Sequence, residues 1–172
     1  VTKDQKDKPP LFVQVPIGLM DLVYRRGADR KNINFSGAYT ENGKTKSYLE
    51  YVLDDDKKVR FFIEHGCKVN EVQVDKNIHP NCKKIWDVLE EKYQNPNISN
   101  EQKNAYKRVA KLLLTAGAKD KNSKGPEEML NTAIQGQDWN RCEMLLELGV
   151  NPNASPKGQD KPLKNLFKDV SA

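Results

Sequence analysis

An apolar stripe with helical spacing ends in a glycine at four places along the chain. These segments are 19–29, 59–70, 109–122 and 142–154, with the glycines Gly27, Gly66, Gly117 and Gly149. Apolar residues recur at i, i+3 and i+4 in each segment, which predicts an amphipathic helix that ends at the glycine. A small apolar residue and a polar tail with Asn or Asp follow. Recurrence of one helical pattern on this scale is typical of a helical repeat array.

Capping signals mark where two of the predicted helices begin. Asp55 or Asp56 is placed to cap a helix over residues 57–64, because a carboxylate there can accept the first free N–H groups. Ser99 and Gln102 fit the capping box, in which each side chain bonds the backbone N–H of the other residue. The sequence therefore predicts a second long helix that opens after Ser99.

The residues between the first two helical segments form a predicted polar loop, 29–45. Asn42 and Gly43 within it are a strong signal for a tight turn. Phe35 and Tyr39 lie in the same loop, where burial is hard to achieve. Both are therefore predicted to be exposed and to serve as anchors for a binding partner.

The last helical segment resembles the ankyrin-repeat family. Residues 129–154, MLNTAIQGQDWNRCEMLLELGVNPNA, are similar to the family pattern TPLHLAAxxGHxEVVxLLLxxGAdvNA. The other segments give shorter matches, such as Gly27-Ala28-Asp29, and none has a complete TPLH. The resemblance implies an all-α, ankyrin-like helical-repeat solenoid of about four helix pairs with hairpin or loop fingers. Leu113 and Leu146 are predicted to be buried where its repeats meet.

The predicted organisation is a polar tether followed by a single domain over residues 11–172. The tether is 1–10, the repeat units are 11–33, 34–74, 75–122 and 123–154, and a C-terminal capping helix covers 155–172. The chain begins with Val rather than Met, and such a tether follows the cleavage or lipidation site of an exported protein. It also fits an untidy domain edge. We expect a periplasmic or cell-envelope location, and the cytoplasm is the alternative. A lipid-anchored precursor is compatible with the envelope location.

Charge and chemistry exclude several function classes. The net charge is +5 and the pI is near 9.0, but the basic residues are mostly dispersed Lys among 24 acidic residues. This pattern argues against nucleic-acid binding. The three cysteines form no metal-ligand or redox spacing, although Cys67 and Cys82 can approach each other in the predicted fold. His65 sits at a helix end. The sequence therefore predicts no catalytic site, no metal and no cofactor.

The function we expect is non-enzymatic binding of another protein through the concave groove and loop tips that the resemblance implies. A bacterial immunity protein that inhibits a cognate secreted toxin encoded beside it is the favoured form. A secreted effector that binds host proteins is the alternative, and a nucleic-acid-binding protein is a third class. The predicted partner-binding residues are Arg30, Phe35, Tyr39, Tyr48, Gln73, Lys76, Tyr93, Lys121 and Lys124.

Overall fold

The computed structural model describes residues 9–26, 33–74, 77–78 and 82–154. Most of the predicted tether and the whole predicted capping helix at 155–172 therefore lie outside the described residues. The chain divides into two compact units, Val1–Ile85 and Trp86–Ala172, and the predicted bounds of the domain and its repeat units stay a prediction. Each unit is described below by itself.

The described part of the first unit combines helices with short strands. Its elements are α1 (Leu11–Gln14), α2 (Ile17–Arg26), β1 (Ala38–Glu41), β2 (Lys44–Ser47), α3 (Tyr48–Tyr51), α4 (Asp56–Glu64), β3 (Gln73–Val74) and β4 (Asn77–Ile78). The helices that follow are α5 (Ile85–Tyr93), α6 (Asn100–Thr115), α7 (Pro126–Gln135) and α8 (Trp139–Glu147). Helix α5 begins at the last residue of the first unit, and all later helices belong to the second.

The predicted fold class, an all-α ankyrin-like solenoid, is wrong. The described residues form helices together with two antiparallel sheets of two strands each, so the fold mixes helices and strands. These residues show no repeat solenoid. The largest local error is at residues 38–45, which were predicted to lie in a polar loop. There the chain forms a regular β-hairpin instead.

The β1–β2 hairpin closes around the predicted turn at Asn42 and Gly43. Ala38 pairs with Ser47 at its open end. The two turn residues have φ of 50° and 74°, the left-handed backbone that a two-residue type I′ turn requires. The turn is thus confirmed, but the residues on both sides of it are extended. Their strands were missed because they are four residues long and carry little apolar alternation.

The recurring helix–glycine pattern marks a local way of ending a helix. The backbone is left-handed at three of the four anchor glycines, Gly66, Gly117 and Gly149. At the first of these, the Gly66 N–H donates to Ile63 O at 3.1 Å and the Cys67 N–H donates to Phe62 O at 2.9 Å. This is the Schellman motif, and the same bonds recur at the other two. Because helices of many folds end this way, the recurrence does not require a repeat array. Gly27 lies outside the described residues.

The two predicted helix starts are confirmed. The Asp55 carboxylate accepts hydrogen bonds from the N–H groups of Lys57 at 3.0 Å and Lys58 at 3.2 Å, which caps α4. At α6, Ser99 Oγ accepts from the Gln102 N–H, and Gln102 Oε1 accepts from the Ser99 N–H, both at 3.1 Å. This reciprocal pair is a complete capping box. Local side-chain chemistry therefore fixes where both helices begin.

Each unit has its own buried core. Fully buried side chains are Met20, Leu53, Val59 and Phe62 in the first unit, and Trp86, Leu89, Leu113 and Leu145 in the second. The predicted burial of Leu113 is confirmed. The predicted burial of Leu146 is wrong, because 46% of its surface is exposed while Leu145 faces the core. Neighbouring helical residues point about 100° apart, and a Leu-Leu pair does not show which of the two is inside.

Candidate functional site

Phe35 is a core residue rather than an exposed anchor. Only 6% of its surface is exposed. Its ring packs against those of Phe12, Tyr24, Phe61, Phe62 and His65, at centroid distances of 5.3 to 6.1 Å. A turn directs it inward: Asn34 Oδ1 accepts from the Ser36 N–H at 3.0 Å, and Asn34 O accepts from the Gly37 N–H at 3.1 Å. The predicted exposure of Phe35 is therefore wrong.

Tyr39 is also buried, with 9% of its surface exposed. Its ring stacks on Tyr48 at 6.5 Å between centroids and meets Tyr51 edge-on at 6.0 Å. Burial, reinforced by the Glu41 carboxylate, raises the pKa of Tyr39 to about 12. Tyr48 is half-buried over Gly37, where a Cβ would collide with the tyrosine ring. The predicted exposure of Tyr39 is thus wrong, and Tyr51 presents the larger free surface, 42%.

The predicted residues of the second unit differ in their exposure. Tyr93 is buried, and its hydroxyl donates to the Glu147 carboxylate. Burial and this bond raise the pKa of Tyr93 above its ordinary value. Lys124 Nζ donates to Thr132 Oγ1 at 2.8 Å, so its charge is partly engaged within the fold. Lys121 is exposed.

The remaining predicted residues cannot be compared with the structure. Arg30 and Lys76 lie outside the described residues, and so does the side chain of Gln73 in β3. The described members of the predicted set divide between the two units. Three of these members, Phe35, Tyr39 and Tyr93, are buried. The set therefore does not form one exposed surface within either unit.

An exposed apolar face on α2 was not predicted. Among the described residues, seven large apolar side chains are exposed, and four of them belong to α1 and α2. These are Leu11 at 74%, Leu19 at 46%, Leu22 at 49% and Val23 at 40%. The last three lie at i, i+3 and i+4, so they form one continuous stripe along the helix. The exposed Arg26 extends this stripe by one turn.

The opposite side of α2 faces the core. Met20 is fully buried, and the Tyr24 ring contacts Phe61 and His65 at centroid distances of 5.7 and 4.3 Å. Helix α2 is therefore apolar on both its inner and its outer side. The sequence carried this signal, because six of the eight residues from Ile17 to Tyr24 are apolar. That is more than one face of a helix can hold, and it indicates a helix covered on both sides.

Within the described ranges, the structure defines the surroundings of His65 and the arrangement of possible metal ligands. His65 Nδ1 lies 2.7 Å from the Phe61 carbonyl oxygen, and the two rings stack at 4.0 Å. The ring is therefore held at the end of α4. No three His, Cys, Asp or Glu side chains within the described ranges are arranged to hold a metal ion. No helix within those ranges is long and apolar enough to cross a bilayer.

Ion pairs in the second unit surround Arg141 of α8. Its guanidinium donates to both carboxylate oxygens of Glu90, at 3.1 and 3.2 Å, and lies 3.5 Å from Asp120 Oδ2. The Trp86 indole N–H donates to Glu90 at 2.7 Å. The Asp120 side chain is 1% exposed and that of Glu90 is 13% exposed. The single guanidinium compensates part of the charge of the two carboxylates, so Glu90 and Asp120 depend on Arg141 for their compensation.

Asp87, in the first turn of α5, lies beside this cluster and is less well satisfied. Its Oδ2 is buried and has no hydrogen-bond partner among the described residues. Burial raises the pKa of Asp87 above its ordinary value, and the nearby Glu90 and Asp120 carboxylates add to this, although a hydrogen bond from the Lys121 backbone opposes it. The carboxyl therefore holds its proton more tightly in the folded chain than in the unfolded one.

We expect Asp87→Asn to change how stability depends on pH. Since the folded pKa of Asp87 is raised, its ionisation destabilises the fold, and stability falls as the pH rises through that pKa. The variant lacks this ionisation. Its free energy of unfolding should therefore rise relative to the parent between pH values of about 4 and about 7. Urea unfolding across that range measures the difference, with the exposed Glu101→Gln as control. A difference that is independent of pH would contradict the prediction.

Comparisons with known proteins place the chain in no family. No protein-family model, curated protein or solved structure matches it. The resemblance to ankyrin repeats therefore stays a prediction that rests on the residues quoted above.

Proposed function

We propose that this chain is a non-enzymatic protein-binding module that engages its partner through the α2 face, formed by Leu19, Leu22, Val23 and Arg26. The supporting observation is that α2 is apolar on both sides, while within the described ranges Met20 on its inner side is buried and Leu19, Leu22 and Val23 on its outer side are exposed. A contiguous apolar surface with a polar rim is characteristic of a surface that another molecule covers. Binding would bury these side chains and supply the driving force for association.

The α2 face indicates what its partner offers. Side chains at i, i+3 and i+4 of a helix pack into an apolar groove or against a second apolar helix. Arg26 at the end of the stripe would pair with a carboxylate at the rim of that groove. Arg25, one residue away, is already paired with Asp21 at 2.9 Å. The partner is therefore expected to be a protein with an apolar groove and an acidic rim.

The identity of this partner remains a set of hypotheses. The favoured one is a cognate toxin, which makes the chain an immunity protein, and the alternative is a host protein bound by a secreted effector. Immunity proteins are encoded beside their toxins, so the product of the neighbouring gene is the first partner to test.

We expect Leu22→Asp to weaken binding of that gene product at least tenfold. The substitution places a carboxylate at the centre of the proposed interface, where binding must desolvate it, and it offers Arg26, four residues on, a partner within the chain in place of the partner protein's acidic rim. Because half of the Leu22 surface is already exposed, the melting temperature should change little. Titration calorimetry measures the affinity, and circular dichroism measures the melting temperature.

The matched control is Leu146→Asp on α8. Leu146 is exposed to a similar extent, 46%, but lies in the second unit. It should bind like the parent. If a partner that binds the parent binds Leu22→Asp equally tightly, the α2 face is not the binding surface.

A further inference from the structure

Two of the three cysteines, Cys67 and Cys82, line one cavity in the first unit. The cavity has a volume of about 170 Å³. Cys67 follows the glycine that ends α4, and Cys82 lies shortly before α5. Both are free thiols. The cavity holds no protein atom, so the space between its walls is open to a rotated side chain.

Hydrogen bonds connect both thiols to the β1–β2 hairpin or to the residues just before it. The Cys67 thiol is hydrogen-bonded to the Ser36 side chain. Cys82 Sγ donates to Thr45 O at 3.5 Å and is also hydrogen-bonded to the backbone of Ser47. Ser36 lies two residues before Ala38, the strand residue that pairs directly with Ser47.

Both cysteines lie outside the helices and strands and border the same open space. The Cys67 N–H donates to Phe62 O in the motif that ends α4, so the backbone there is held at one point. A disulfide requires a sulfur–sulfur distance of about 2.05 Å and a Cα–Cα distance of about 4.4–6.8 Å. Bond formation therefore requires both side chains to rotate into the cavity and the backbone to bring the two Cα atoms within that range.

We propose that Cys67 and Cys82 form an intramolecular disulfide when a low-molecular-weight disulfide, such as oxidised glutathione, is the oxidant. The Cys82 thiolate attacks one sulfur of the small disulfide and releases one small thiolate. The Cys67 thiolate then attacks Cys82 Sγ in the mixed disulfide and releases the second. The protein loses two protons and two electrons, and the oxidant is reduced to two small thiols.

The order of attack follows from burial, which raises the pKa of both thiols and acts more strongly on Cys67 than on Cys82. Burial raises the pKa of Cys67 to about 11, so near neutral pH this residue is almost entirely a protonated, unreactive thiol. The second step proceeds with a smaller fraction of thiolate, because the mixed disulfide is held beside Cys67 and the attack is intramolecular. The bond would cross-link the end of α4 to the start of α5 and restrict the unfolded chain. This inference is independent of the protein-binding proposal.

The test uses the purified full chain, incubated with excess oxidised glutathione at a pH of about 8.5 to supply thiolate. We expect the intact mass to fall by about 2 Da, the mass of two hydrogen atoms. A non-reducing peptide map should link Cys67 to Cys82, while Cys142 remains alkylatable. The melting temperature should rise by several degrees and return to its original value with a phosphine reductant.

The variant Cys67→Ser separates the two steps. It should accumulate a glutathione adduct on Cys82, because the second attacking thiol is missing. The guanidinium-unfolded parent serves as a control that the oxidant is active. If the folded parent keeps three free thiols, carries glutathione adducts without the mass loss, or forms a bond with Cys142, the proposal is overturned.

Discussion

Phe35→Ala is expected to lower the free energy of unfolding by about 3–5 kcal/mol. The side chain is almost fully buried and touches five other rings, so its removal eliminates many apolar contacts at once. Phe35 also borders an existing cavity of about 250 Å³, together with Phe12, Val13 and Phe62. Truncation would enlarge that cavity.

Denaturant unfolding monitored by circular dichroism measures this effect. The matched control is Tyr51→Ala, another aromatic residue of the first unit, with 42% of its surface exposed. This variant should lose much less stability, because Tyr51 buries less apolar surface in the folded chain than Phe35 does. If Phe35 were an exposed anchor at a loop tip, Phe35→Ala would leave the unfolding midpoint unchanged. Equal midpoints for Phe35→Ala and the parent would contradict its place in the core.

The contrast at Phe35 shows what the sequence can and cannot predict. Helix ends at Gly66 and Ser99 were predicted because their chemistry is local, within a few residues of the cap. The direction of Phe35 depends on the turn at Asn34 and on rings supplied by α1, α2 and α4, far away in sequence. The polar, glycine-containing stretch around Phe35 led to the prediction of a loop, but such a stretch is also compatible with a tight hairpin.

The fold-class error has a related cause. A pattern that repeats along the chain predicts similar local structure at each copy, and three copies do end in the same hydrogen-bonded motif. It does not fix how those helices pack on one another, which depends on side chains between the copies. One of those intervening segments is the β1–β2 hairpin, whose paired strands an all-α fold class does not include.

The candidate site was missed for a different physical reason. The sequence of α2 has too many apolar positions for a single buried stripe, and this is visible without a structure. Which of its faces the rest of the chain covers is a tertiary property. The fold buries Met20 and leaves Leu19, Leu22 and Val23 in solvent. The same apolar helix therefore has one side that packs into the core and another side that stays exposed, and the exposed side is the proposed binding surface.

Arg141→Ala is expected to lower the free energy of unfolding by about 3 kcal/mol, through lost charge compensation. Arg141 is the cation that both Glu90 and Asp120 face in the second unit. Removing it leaves two mostly buried carboxylates with like charge close to each other, which is more costly than the loss of the hydrogen bonds. Arg141→Lys keeps the charge but cannot donate to both Glu90 oxygens in the same planar arrangement, so an intermediate loss is expected.

A double-mutant cycle with Glu90→Gln distinguishes this electrostatic role from simple packing. In the Arg141→Ala background, neutralising Glu90 relieves an uncompensated charge, so Glu90→Gln should cost less there than in the parent, or even restore stability. The coupling energy should exceed about 1 kcal/mol, because the two side chains share two charge-assisted hydrogen bonds. Additive losses would mean that Arg141 acts mainly through its aliphatic stem. Ser99→Ala, which removes the cap that bonds Gln102 at the start of α6 in the same unit, is the control that should show no coupling to Glu90.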